Sequence, residues 1–204
     1  MPNIFDDSSS EYLTFDVYMD DVDERRLQLG AGHDSWKLER QQYFSDPTDP
    51  PWVAFSQGKW EESIRLMENA RPLFSKECQE AAAHGVTLYR VRVIEEPIAP
   101  YVQWELHYLR LGTSAGEKIR VVDAERVKQF EEDGLLPDVL TAGVDTVYRI
   151  LYTNEGVPEA ARRLINSEVA KRCIEFIQGL YADGEDMDTY FDRRIASLPP
   201  PRLE

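Results

Sequence analysis

Arginine recurs in this chain at positions where a strand usually carries valine or isoleucine. Arg90 and Arg92 interrupt the run from Leu88 to Ile94, Arg120 interrupts Lys118 to Val122, and Arg149 lies between Val147 and Leu151. A guanidinium is planar, permanently charged and rich in donors. In a partly dry setting it closes an ion pair with a carboxylate or receives an anion such as a phosphate or a carboxylate ligand. Left unanswered there, it would be strongly destabilising. The carboxylates at hand are Glu95, Glu96, Glu105 and Asp123, and Tyr101 stands four residues before Glu105, so the two share one helix face. Arg90, Arg92, Tyr101, Glu105, Arg120 and Arg149 therefore form the candidate ligand or anion-binding set, with Arg92, Arg120 and Arg149 expected to point toward a common volume beside Glu105. Internal ion pairing of the same side chains is the other reading, and both stay open at this level.

No nucleophile or tuned base accompanies these groups, so no catalytic residue is assigned. His33, His84 and His107 have no Cys, Asp or Glu at the spacings of common zinc motifs. Neither a phosphate-binding glycine loop followed by Lys nor a nucleophile elbow is present. No metal and no cofactor are expected. His84, just before Gly85, reads as a helix C-terminal residue that suits the helix dipole.

The elements that must hold these residues follow from periodicity. Two β-branched runs, Val86 to Ile94 and Lys118 to Val122, flank a helix-length segment from Pro100 to Leu111. This predicts a strand-helix-strand unit with parallel strands. Along a strand Arg90 and Arg92 share one face while Tyr89, Val91 and Val93 share the other. Trp36 to Arg40 alternates as a short strand, and Asp46 to Pro51 forces a loop. From Trp60 the apolar positions recur every three or four residues, with Pro72 expected to start a second helix that Gly85 ends. A loop or helix around 124–133 and a breaker at Gly134 to Pro137 precede a strand from Val144 to Tyr152. Asn154-Glu155-Gly156 turns the chain, and Glu159 to Leu164 returns as its partner. Ser167 is expected to cap a final helix with the stripe Val169, Cys173, Phe176, Ile177 and Leu180.

The chain has 204 residues and a formal net charge of −15, with 38 acids against 23 Lys and Arg. Such a balance argues against direct nucleic-acid binding, which needs clustered cations, and favours basic partners. No stretch approaches the roughly 18 apolar residues of a membrane span, and the start of the chain is acidic where a secretion signal would be basic. A cytoplasmic location is expected. Cys78 and Cys173 fall on apolar helix positions and read as buried reduced thiols. Residues 1–32 form an acidic N-terminal arm: Ser8 and Glu11 have capping-box spacing, Gly30 ends a helix, and Tyr12, Phe15, Met19 and Val22 lie at helical spacing as candidate partner-binding residues. Residues 33–182 are read as the domain, and 183–204, with acids and the run Pro199-Pro200-Pro201, as a flexible C-terminal tail.

Several segments together carry a resemblance. They are Trp36-Lys37-Leu38-Glu39, Arg90-Val91-Arg92-Val93 with Glu96-Pro97, Tyr101 and Glu105-Leu106, Gly116 to Val121, and Val147-Tyr148-Arg149 with Tyr152 and Gly156. In this order they resemble an uncharacterised actinobacterial family of unknown function, often encoded near helix-turn-helix regulators. The resemblance implies a compact α/β domain of phospholipase-D-like half-domain topology, without the His and Lys pair that such hydrolases require. The reading is thus a single α/β domain with a small mixed sheet flanked by helices. Its expected function is non-catalytic and regulatory: the acidic surface and arm hold a protein partner, a basic DNA-binding regulator being the kind implied. The alternative is a small-molecule module or enzyme that holds an anionic metabolite with the arginine cluster.

Overall fold

The structure is a computed structural model and describes residues 9–29 and 33–203. The chain opens with β1 (Glu11–Thr14), α1 (Phe15–Gln28), β2 (Ser35–Glu39), α2 (Pro50–Ser56) and α3 (Trp60–Ala83). The central unit is β3 (Leu88–Ile94), α4 (Pro100–Ala115) and β4 (Lys118–Asp123). After two short 3₁₀ turns come β5 (Val139–Ala142), β6 (Thr146–Tyr152), β7 (Pro158–Ile165), α5 (Ser167–Asp183), β8 (Glu185–Asp186) and α6 (Met187–Arg194). The described strands form one mixed sheet in the order β1-β7-β6-β5-β2-β3-β4-β8. β2, β3 and β4 are parallel neighbours, and the other pairs are antiparallel.

The expected strand-helix-strand unit is present. Pro100 sits in the first turn of α4, where its fixed φ suits a helix start, and Gly116 at φ 123° lets the chain leave it. α5 covers one face of the sheet, laying Val169, Ala170, Cys173 and Ile177 on Leu38, Val91, Val93, Val139 and Val147. On the other face, α3, α4 and α6 pack over Ile94, Ile119 and Val121, while α1 packs over Leu140, Tyr148 and Ile150. Cys173 is buried and Cys78 half-buried, both as free thiols, and burial pushes both up, Cys173 to about 12.

Five sequence expectations need correction. The acidic arm is not separate from the domain. β1 pairs with β7, Glu11 opposite Arg163 and Thr14 opposite Ala160, and α1 buries Tyr18 and Val22 in the sheet. What binds it there is Asp21, which accepts hydrogen bonds from the Tyr148 hydroxyl, from Arg163 Nη1 at 2.7 Å and from Arg25 Nε at 3.1 Å. α1 begins at Phe15, with Glu11 in the strand before it. Ser8 and Gly30, given cap roles above, lie outside the described residues.

The C-terminal segment is no loose tail either. β8 adds to the edge of β4, and α6 buries Met187, Tyr190 and Phe191 against the α4 side of the sheet, with Ile195 beyond it. Asp186 caps α6 through the backbone N–H groups of Asp188 and Thr189. Pro72 starts no helix, because α3 runs through it; the residue is exposed, so the lost backbone bond faces water. The strand expected from Val144 is the second half of a hairpin, with β5 before it and Gly143 turning at φ 77°. The cap of α5 is Asn166, whose side chain accepts from Glu168 N and Val169 N, one residue before the expected Ser167.

Candidate functional site

The arginines of β3 occupy the face of the sheet that lies under α4. Arg92 is fully buried; its Nε donates to Glu105 Oε2 at 2.8 Å and its Nη1 to the Val93 carbonyl at 3.0 Å. Its Nη2 is 2.7 Å from the same Glu105 oxygen, an ion pair without hydrogen-bond alignment. Tyr101, one turn before Glu105 on α4, turns its hydroxyl to Glu105 Oε1 at 3.5 Å. Arg90 donates Nη1 to both oxygens of Glu39 at 3.0 Å and Nε to Glu117 at 2.7 Å. Lys37 Nζ lies 2.6 Å from Glu39. Room for Glu117 depends on Gly112 of α4, where a Cβ would stand 2.7 Å from its Oε2.

Charge decides what this cluster can do. Lys37, Arg90 and Arg92 supply three positive charges, and Glu39, Glu117 and an ionised Glu105 supply three negative ones. A balanced network whose members already bond one another offers an anion no excess of positive charge. Burial pushes the Glu39 carboxyl up, but Arg90, Lys37 and Arg92 outweigh it and hold the group well below the usual carboxylate range. For Glu105 burial, aided by Glu39, outweighs Arg92 and raises the group to about 7. The linkage to stability follows in sign. Glu39 binds fewer protons folded than unfolded, so its contribution is present above the ordinary glutamate value of 4.5 and is lost as pH falls below it. Glu105 binds more protons folded, so its contribution is complete below 4.5 and is lost as pH rises through about 7. Urea unfolding from pH 4.5 to 7 is expected to show a downward slope from Glu105 that Glu105→Gln flattens; an unchanged slope in that variant would contradict the assignment.

The expected convergence of Arg92, Arg120 and Arg149 does not occur. The parallel register sets Arg92 beside Val121 and Arg120 beside Val91, one residue out of phase, so Arg120 projects to the α5 face. There its guanidinium stands 5.4 Å from the Tyr181 ring centroid, and its Nη1 donates to the Gly184 carbonyl at 3.3 Å. Arg149 pairs with Val139, also on the α5 face, and three strands separate β6 from β4. Of the six candidates, Arg92, Tyr101 and Glu105 come together, Arg90 joins them through Glu39, and Arg120 and Arg149 stand apart. Sequence reasoning missed Lys37, Glu39 and Glu117. The first two sit two residues apart in an alternating strand, so they share a face as Arg90 and Arg92 do, and that was the available signal. Glu95 and Glu96, expected as partners of the cluster, pair with Arg40 and Arg194 instead.

The outward side of α1 is the other candidate surface. Val22 lies in the core and Phe15 packs against it, whereas Met19 is exposed; Tyr12, exposed too, stands in β1 beside Arg162 and not on the helix, which corrects its expected place on the helical stripe. Exposed with Met19 are Asp16, Val17, Asp20, Asp23, Glu24 and Leu27, a helix face of acids set among apolar side chains. Burial raises the Asp23 carboxyl, and Glu77, Asp20 and Glu80 add to this against Arg26, so α1 and the end of α3 crowd like charges. Among the described residues no cluster of His, Cys, Asp and Glu is arranged to hold a metal, and no helix is long and apolar enough to cross a membrane.

Comparison with known proteins adds a family. No curated protein sequence matches the chain. Among solved structures, a phospholipase D family member, Nuc from Salmonella typhimurium, is similar at 14% identity and a TM-score of 0.47, over 87% of this chain and 97% of that one. The archaeal chromatin protein TrmBL2 is similar at 9% identity and a TM-score of 0.36, over 81% of this chain and 49% of that one. Likenesses this loose carry no argument about activity. A family model for a domain of unknown function, DUF6879, matches residues 23–192, from within α1 to within α6, and the chain belongs to that family.

Proposed function

We propose that this protein is a non-catalytic interaction protein that holds a basic partner protein on the outward face of α1. The observation that carries the reading is the composition of that face: Asp16, Asp20, Asp23 and Glu24 are exposed beside Val17, Met19 and Leu27, each of the three at least 42% exposed. Apolar side chains ringed by one sign of charge suit a partner helix that is apolar along one stripe and basic on its flanks. A regulatory role fits such an adaptor, and a basic DNA-binding regulator of helix-turn-helix type is the kind of partner that the family resemblance implies. Because α1 is part of the domain, the surface is presented ready-made, and binding need not order a free arm.

The test is a variant with Asp16→Asn, Asp20→Asn, Asp23→Asn and Glu24→Gln. All four side chains are exposed, so unfolding in urea should stay close to that of the unaltered chain. Proteins captured from a native extract are identified, and the affinity of the purified partner is measured by calorimetry at low and high salt. The expected result is a basic partner whose affinity falls roughly tenfold or more in the variant and weakens with salt. An affinity that the four substitutions and salt leave unchanged would overturn the proposal.

A further inference from the structure

The carboxyl ends of the parallel strands β3 and β4 stand side by side, Ile94 opposite Asp123. From there the chain leaves in opposite directions. β3 leads into α4 on one face of the sheet, whereas β4 leads into the 3₁₀ turn Ala124–Arg126, where Ala124 joins the core under α5 on the other face. Loops that part in this way open a crevice past the strand ends, the usual ligand position in open α/β sheets. Here it is a cleft of about 190 Å³, lined also by the end of α5 and by α6.

Two ion pairs of this cleft are closed. Arg193 Nε donates to Glu185 at 3.1 Å, and Arg194 pairs with Glu96. Three charges remain. Arg126 and Asp183 are exposed, and among the described residues neither side chain makes an ion pair or a hydrogen bond. Asp123 accepts the Glu125 N–H at 2.8 Å on Oδ1 and keeps Oδ2 open. Tyr190 lines the same cleft at 7% exposure, yet its hydroxyl has no hydrogen-bond partner among the described residues and is still reached by water. Burial, aided by Glu96, raises that hydroxyl against Arg194 and Arg193, so it stays a proton donor. One open cation and two open carboxylates beside such a hydroxyl are the complement of a zwitterion.

A second cleft of about 460 Å³ shares Val122, Arg126 and Asp183 with the first and is mainly apolar. Phe130 and Phe176 meet edge to face in its wall, their ring centroids 5.1 Å apart, and Leu180 lines it with them. Gly179 of α5 leaves it open, since a Cβ there would meet no atom within 4 Å.

We propose that the two clefts together bind a free α-amino acid with a large apolar side chain. Its carboxylate meets Arg126, its ammonium meets Asp123 and Asp183 beside the Tyr190 hydroxyl, and its side chain lies against Phe130, Phe176 and Leu180. The site shares no residue with the outward face of α1 and does not rest on the partner reading.

The experiment measures the melting temperature of the full chain with millimolar L-phenylalanine, L-leucine, phenethylamine, 3-phenylpropionate or glycine, and maps amide chemical shifts with the same probes. L-Phenylalanine, L-leucine or both should raise the melting temperature dose-dependently, the stronger one naming the side chain. The amine, the acid and glycine each lack one part of the ligand and should bind roughly tenfold more weakly or worse. Shift changes should cluster at Val122, Arg126, Gly179 and Asp183. Arg126→Gln and Gly179→Leu alter exposed positions, so both should melt like the unaltered chain. Both should lose the response, the first by removing the cation and the second by filling the apolar cleft. The proposal is overturned if neither amino acid acts, if the amine, the acid or glycine acts as strongly, or if either variant responds like the unaltered chain. Should a variant fail to fold, the amide map of the unaltered chain decides: changes confined to other surfaces overturn the site.

Discussion

Arg92→Met is expected to destabilise the fold by about 3–5 kcal/mol above pH 7, where Glu105 is ionised and removing its partner strands it as a buried charge. Glu105 would lose its cation inside the interface between α4 and the sheet, and the carbonyls of Val93 and Glu39 would lose a donor. The double variant Arg92→Met/Glu105→Leu is expected to recover most of that loss, because a buried pair exchanged for apolar groups of similar size is often near neutral. Urea unfolding of the two single variants and the double variant closes the cycle. A loss below about 1 kcal/mol for Arg92→Met would mean that water reaches the pair and that the network is not the closed, balanced cluster described here.

The second large effect concerns the N-terminal elements. Asp21→Ala removes the acceptor of the buried Tyr148 hydroxyl and one carboxylate from both Arg163 and Arg25, and about 3 kcal/mol should be lost. Burial pushes the Asp21 carboxyl up, but the hydrogen bonds from Tyr148, Arg163 and Arg25 outweigh it and lower the group, so its contribution too is present above the ordinary aspartate value of 3.8 and lost below it. The Asp21→Ala penalty should therefore shrink as pH falls below 3.8. A variant that melts with the unaltered chain would return α1 to the status of a loose arm.

The middle of the chain was legible because local signals agree there. β-branched runs, Pro100 and Gly116 mark the unit from β3 to β4 without help from distant residues. The ends were not legible for a shared reason. α1 and α6 bury only a few side chains each amid dense acids, Tyr18 and Val22 in one and Met187, Tyr190 and Phe191 in the other. What decides their placement is non-local: Asp21 meets Tyr148 and Arg163, and β8 meets β4. The candidate site failed in the same way. Alternation gave the face of each arginine within its own strand, but the parallel register, which sends Arg92 and Arg120 to opposite faces, belongs to the pairing of two strands. The pair of Arg92 with Glu105 was legible, since Tyr101 and Glu105 share the α4 face that turns toward β3.

The central claim is that the acidic face of α1 is a fixed part of the domain's surface, and native-state hydrogen exchange over residues 15–28 tests it most directly. The amides around Tyr18 and Val22 should exchange only through unfolding as slow as that of β3, because α1 cannot open without exposing Leu140, Tyr148 and Ile150. Fast exchange across α1 while β3 stays protected would contradict this and make the segment an arm that orders only on its partner.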